Sequence, residues 1–239
     1  MATERRIHFL HIGKNAGTAI GSLFPQINAA NTGVRIHKHP HKVKLRDLPS
    51  GEDYIFAIRA PETRFKSGFY SRKRKGQPRI HVEWSAHEAA AFAAFEDAND
   101  LAEALFREDE RGHQAIMAIA SIGHCAVPQI TWFEHCAFFL QSHPPLAILR
   151  QSRLEEDCRA LVAALGIDVD ITLPDNPVQK HANNYRDVPE LSPRALANLR
   201  SWYSQDYAFV RMCEDFIGAR LQQEQDRYAL KRSDTPSSF

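Results

Sequence analysis

No CxxC pair occurs among the four cysteines, Cys125, Cys136, Cys158 and Cys213. A structural zinc site draws on paired thiolates at that spacing, so no metal is expected. Three of the four cysteines sit in apolar or helical patterns and read as reduced, buried thiols. Charge of one sign is missing as well: 30 Lys and Arg stand against 29 Asp and Glu, a formal net charge of +1. Such a balance provides no chain-wide field to hold the protein to nucleic acid or to an anionic membrane, though a local basic cleft can hide inside the sum. Long hydrophobic runs are absent too. No stretch approaches the roughly 18 apolar residues of a membrane span, and no apolar signal region precedes the first strand-like run. The expectation is a soluble protein of a reducing, cytoplasmic compartment. There is no internal repeat.

What is present is a globular composition, 44% hydrophobic over 239 residues, enough to bury a sizeable core. Arg6 to Ile12 (RIHFLHI) is short and apolar-rich and ends at Gly13, as a buried strand entering a tight loop does. Ile20, Leu23, Phe24 and Ile27 then share one helical face, which Pro25 should kink or end. Asp53 to Arg59 (DYIFAIR) is a second buried strand, followed by Pro61 at a helix start, with Phe65 and Phe69 spaced to face the core. Pro144 to Arg150 holds a third apolar run. After it, Leu154, Cys158, Leu161, Val162 and Leu165 share a helix face that Gly166 closes. Ser192-Pro193 starts another helix, with Leu196, Leu199 and Tyr203 as its stripe. Phe209, Val210, Cys213, Phe216 and Ile217 mark a last one. Strands alternating with helices imply an α/β fold of three layers, a central and mostly parallel sheet flanked by helices. One domain is expected over residues 1–221, with a variable stretch at about 72–121. The polar tail, 222–239, is expected to lie outside it, disordered.

Two strand-to-helix junctions carry anion-binding chemistry. The first is His11-Ile12-Gly13-Lys14-Asn15-Ala16-Gly17-Thr18-Ala19. Gly13 and Gly17 let the backbone turn its amides inward, the helix start adds a positive dipole end, Lys14 a charge and Thr18 a hydroxyl. A Walker A loop is disfavoured, because Lys14 precedes Gly17 and no Gly-Lys-Ser or Gly-Lys-Thr follows. In the second junction Arg59 ends the strand, and Arg64 and Ser67 share a side of the helix away from Phe65. An arginine fork with a hydroxyl fits a terminal phosphate.

Taken together the motifs resemble the sulfotransferase superfamily, in its carbohydrate-type and bacterial branch. HIGKNAGTA is similar to that family's 5'-phosphosulfate loop, commonly HxPKxxGTS. FAIRAPETRFKSGFY is similar to its 3'-phosphate motif, commonly VRDPxxRxxSxY. Val127-Pro128-Gln129 with Trp132 resembles its PQxxW segment, and the helix from Ser152 to Gly166 its ExLxxD…LG helix. Gly13 stands for the usual Pro, Ala19 for Ser, Ala60 for Asp or Asn, and Ser152 for Glu. The resemblance implies a P-loop-like fold and a sulfuryl transfer from 3'-phosphoadenosine 5'-phosphosulfate (PAPS, leaving PAP) to a hydroxyl, by analogy that of a carbohydrate.

It further implies that Gly13, Lys14, Asn15, Ala16, Gly17, Thr18 and Ala19 hold the 5' end of the donor. Arg59 and Ser67 hold the 3'-phosphate. Lys14 neutralises charge on the leaving phosphate. The acceptor hydroxyl needs a base, for which histidine is the usual choice. His39 is the first candidate, by its position between the two motifs, with His41, His37 and His124 behind it. His81, Glu83 and His87 stand further off. Arg72-Lys73-Arg74-Lys75, with Lys66 and Arg79, reads either as a strip meeting an anionic acceptor or as a solvated surface run. Two rivals remain: a P-loop-type kinase, and a nucleotide- or polyanion-binding module without catalysis.

Overall fold

The structure, a computed structural model, describes residues 4–30, 33–78, 80–133, 138–173 and 187–233. Four strands, β1 (Arg5–Leu10), β2 (Val34–Lys38), β3 (Asp53–Ile58) and β4 (Ala147–Arg150), pair in the order β2-β1-β3-β4, all parallel. The three-layer α/β expectation is met. β1 and β3 occupy the centre because they are apolar on both faces, as a strand covered on both sides must be. Ile7, Phe9 and Leu10 of β1, and Tyr54 to Ile58 of β3, are at most 2% exposed.

Strand alternation divides the core into two layers. On one face Ile7, Phe9, Ile55, Ala57 and Leu149 meet α1 (Gly17–Gly21), α2 (Phe24–Ala29) and the helix Leu154–Ala164. On the other, Leu10, Tyr54, Phe56 and Ile148 meet Trp132, Phe133, Phe139, and Phe209 and Cys213 of the C-terminal helix Ser204–Ser233. A third cluster is wholly helical. It gathers Phe65 and Phe69 of α3 (Pro61–Lys73) with residues of α4 (Ala86–Ala94), α5 (Ala98–Ala104), α6 (Glu110–Ser121), α7 (Gly123–Ala126) and the helix Pro193–Trp202.

Local signals act as expected at several ends. The first helical stretch is broken into α1 and α2, with Pro25 in the first turn of the second. Ser192 caps its helix by accepting a bond from Ala195 N–H at 3.1 Å, and Gly166 takes a positive φ of 65° after the helix Leu154–Ala164. Cys125, Cys158 and Cys213 are buried and reduced, while Cys136 lies outside the described residues.

Two elements differ from expectation. β2 was not foreseen, because only Ile36 of Val34–Lys38 is buried and the segment therefore lacks a strand's apolar signature. Its open edge is closed by a side chain instead: Asn28 donates to Ile36 O at 3.1 Å and accepts from Ile36 N–H at 2.8 Å, as a neighbouring strand would. The polar segment after Leu221 continues the last helix to Ser233. Residues 219–233 contain neither Gly nor Pro to stop the helix. Among the described residues no helix is long and apolar enough to cross a membrane.

Candidate anion site at the ends of β1 and β3

In an open parallel sheet, ligands bind beyond the carboxyl ends of strands whose connections diverge. Here β1 and β3 are neighbours; the chain leaves β1 for the β2 edge and leaves β3 for the β4 edge. Both expected junctions therefore open at one place.

The loop after β1 is built around three constraints. Lys14 and Ala16 take positive φ values of 69° and 60°, which wind the backbone tightly before α1. Gly17 cannot carry a side chain, because its Cβ would fall 2.0 Å from the His11 ring. Asn15, 1% exposed, anchors the loop from below by donating to Ala57 O at 2.7 Å and to Gln129 Oε1 at 2.6 Å.

The second junction leans onto this loop. Arg59 donates from Nε to Thr63 Oγ1 at 3.0 Å and from Nη1 to Lys14 O at 3.1 Å. Arg64, only 3% exposed, donates from Nε to Gly13 O at 2.9 Å. That corrects its expected partnership with Ser67 at a distant phosphate. Helical side chains tilt toward the N-terminus, so a first-turn arginine reaches back over the strand end to the neighbouring loop. Ser67, a turn later, is itself buried at 4% exposure. Lys38 of β2 arrives from the other side, its Nζ donating to Gly17 O at 2.7 Å. Sequence reading missed it; no local signal marks a lysine whose partner is 21 residues away.

Neither the Lys14 ammonium nor the Arg64 guanidinium is paired with a carboxylate among the described residues. A largely buried cation without a counter-charge is costly. Burial, with the charges of Arg59, Arg74 and Arg64, brings Lys14 down from 10.5 to about 8. An anion placed here would relieve that cost.

Imidazoles complete the site. A Cβ on Gly13 would stand 3.3 Å from His124 Nδ1 and 3.9 Å from His41 Nδ1, so both rings flank the loop. His41 is exposed at the rim, its ring 3.9 Å from that of His11. Its Nδ1 lies 2.7 Å from His11 O. A carbonyl only accepts, so Nδ1 carries the hydrogen and, in the neutral ring, Nε2 keeps its lone pair. Although the residue is exposed overall, partial desolvation of the ring where it packs on the loop holds His41 below the ordinary imidazole value; Lys38, Lys14 and Arg64 act the same way, against the bond to His11. Burial, then Lys14 and Arg64, pushes His124 down to about 3. Both rings are therefore neutral at pH 7.

His39, the first candidate for the base, is directed elsewhere. Its Nε2 lies 2.7 Å from His8 Nδ1, and His8 Nε2 meets Glu52. The charges that bear on it are His8 and His37, whereas Lys14 bears on His41 and His124. The cause is pleating: His8 and His37 are register partners on one face, and His39 follows two residues later on that same face.

The expected basic strip is also dismantled. Arg72, 9% exposed, turns inward to Glu88 through bonds of 2.6 and 2.8 Å. Lys75 pairs with Glu83 at 2.6 Å and Lys66 with Glu190 at 3.1 Å. His81 also pairs with Glu83, at 2.7 Å. Arg79 lies outside the described residues. Arg74 is the member whose charge reaches Lys14. Among the described residues no group of His, Cys, Asp and Glu is arranged to hold a metal.

The class defined by this architecture is a parallel α/β protein with a cationic loop where two crossovers part. No protein-family model matches the chain, and no curated protein or solved structure matches it.

Proposed function

We propose that the chain is a PAPS-dependent sulfotransferase, acting on a hydroxyl acceptor of the carbohydrate class. One observation carries the reading: Lys14 and Arg64, neither of them in an ion pair among the described residues, converge with Arg59 on one strand-end loop flanked by neutral imidazoles. A multiply charged donor supplies the negative charge that such a site lacks. The arrangement is also suited to transfer rather than to binding alone, because a cation and a proton acceptor stand side by side.

In the proposed step the acceptor oxygen forms a bond to sulfur as the bond from sulfur to the bridging phosphate oxygen breaks. Negative charge grows on that oxygen, and Lys14 neutralises it from a site already short of water. The acceptor proton passes to His41 Nε2, whose lone pair is set by the Nδ1–H bond to His11 O. His41 takes this role in place of His39. The backbone amides of Gly13 to Ala19 and Thr18 hold the 5'-phosphate, and Arg59 holds the 3'-phosphate. Ser67 joins it only where the ligand reaches its buried hydroxyl.

Calorimetry with PAP and with ATP tests the donor. PAP is expected to bind more tightly by about tenfold or more, a difference of roughly 1.4 kcal/mol. Equal affinity, or preference for ATP, would reject the reading. A radiolabelled donor offered to sugar, phenol and lipid hydroxyls then tests transfer. Tight PAP binding without transfer to any of them would leave a nucleotide-binding module.

A further inference from the structure

Gln129 is completely buried, at 0% exposure, on a short helical turn, Gln129–Trp132, that belongs to neither junction. Its side-chain amide nevertheless touches both. Oε1 accepts from Asn15 Nδ2 at 2.6 Å and from Arg59 N–H at 3.1 Å, while Nε2 donates to Arg59 O at 2.8 Å. The turn is itself held from behind. Asp206, 1% exposed, accepts from Gln129 N–H at 2.7 Å and from Ile130 N–H at 3.0 Å. A chain of bonds thus runs from the C-terminal helix, through Gln129, to the loop after β1 and the residue after β3.

Asn15 also ties the loop to β3 through Ala57 O, and the junctions are joined further by Arg59 Nη1 to Lys14 O and Arg64 Nε to Gly13 O. The two arginine bonds use cations that an anion competes for. The Gln129 amide uses no charged side chain, and it grips Arg59 by its backbone. Its ties persist when a ligand draws on the arginines. We infer that Gln129 is a positioning residue that fixes the separation of the two anion subsites, so that a ligand charged at both ends is favoured over one charged at a single end. This rests on the sulfotransferase reading and deepens it: donor selectivity comes from a buried neutral amide as well as from the cations.

Gln129→Asn withdraws the amide by one methylene. Titrations of PAP, adenosine 5'-monophosphate and adenosine 3'-monophosphate read the effect. In the variant, PAP affinity should fall about tenfold, the scale of a lost hydrogen bond to a buried group, while each monophosphate changes by less than about threefold. Asn15→Ala, which removes the loop's bonds to Gln129 and to Ala57 O and leaves Gln129 bonded to Arg59 and Asp206, should show at least that loss of PAP affinity if Gln129→Asn does not fold. Adding Arg59→Ala to Gln129→Asn should cost PAP no more than Arg59→Ala alone. Equal weakening of PAP and the monophosphates, or no weakening of PAP, would overturn the inference while the sulfotransferase reading stood. Failure of the unaltered protein to bind PAP would instead remove the reading itself.

Discussion

Two groups of histidines sit within a short reach of each other and are set to different tasks. His41 and His124 flank the Gly13 loop, where burial, helped by the charges of Lys14 and Arg64, lowers both rings below the ordinary imidazole value. His8, His37 and His39 lie on the sheet at the β1–β2 edge, where Glu52 is the carboxylate partner. In the first group the His11 carbonyl fixes a lone pair outward on His41 Nε2. In the second, Glu52 fixes the hydrogen on His8 Nε2, so that His8 Nδ1, when neutral, accepts from His39 and the chain of bonds closes on the fold. Chemistry is set by the partner of each ring, and His39 and His41 part company only because pleating and the strand end turn them in different directions.

Removal of the central cation should give the largest separation between the regions. Lys14→Ala should lower kcat by roughly 10²–10³-fold, the usual scale for a group aimed at developing charge. PAP affinity should fall far less. Equal losses would deny Lys14 a transition-state role.

His41→Ala should follow, at about 10²-fold in kcat, within the range of general-base catalysis. The pH profile sharpens the comparison. For kcat/KM, activity should rise through the lowered His41 value as its proton leaves, and fall near pH 8 as Lys14 loses its own. His41→Ala should lose the acidic limb and keep the alkaline one. His39→Ala should keep both, with a change in rate below about threefold. The reverse outcome would return the base to the sheet edge.

Stability should move the other way at Lys14. Its value of about 8 in the folded protein lies below the ordinary 10.5, so the unfolded chain binds the proton more tightly. The charged form therefore costs stability throughout the range below pH 8, and stability rises between about 8 and 10.5. Lys14→Met should stabilise the ligand-free protein at pH 7 by roughly 1–3 kcal/mol and erase that alkaline rise, as read by denaturant titration. A destabilised variant would show that Lys14 is already neutralised by a partner.

The smallest effect belongs to Glu52. The bond to His8, ahead of other causes, holds its carboxyl below the usual range. Its contribution to stability is present above the unfolded carboxylate value and disappears as pH falls through the folded one. Glu52→Gln should therefore lower the melting temperature at pH 7, converge with the unaltered protein in acid and leave activity intact. A loss of activity would tie the sheet-edge group to the catalytic one.

Much of this was legible along the chain. Tyr54 to Ile58 announces a central strand by being apolar at every position, Ile7 to Leu10 does so with His8 as its one polar residue, and Pro25, Ser192 and Gly166 announce helix ends by their backbone chemistry. Gly13, Lys14 and Gly17 mark the loop because they combine a tight turn with a cation in five residues; such a loop is as often an ordinary turn, and it points to an anion only together with the second junction. β2 was not legible, since an edge strand with one buried residue has no periodic signal. The basic run from Arg72 was misleading for a related reason: Arg72 and Glu88 are 16 residues apart, and nothing in the string shows that they meet.

The sequence by itself determined the order of elements, the two strand-to-helix junctions and the glycines and cations they carry, because these rest on short-range properties: apolar runs, turn geometry and capping. Only the tertiary structure decided that Arg64 serves the first junction, that His41 rather than His39 stands beside Lys14, and that Gln129 joins Asn15 to Arg59 across 114 and 70 residues. Those outcomes depend on which face a pleated strand presents and on which segments a shared core brings together, and neither is written in any local stretch of the chain.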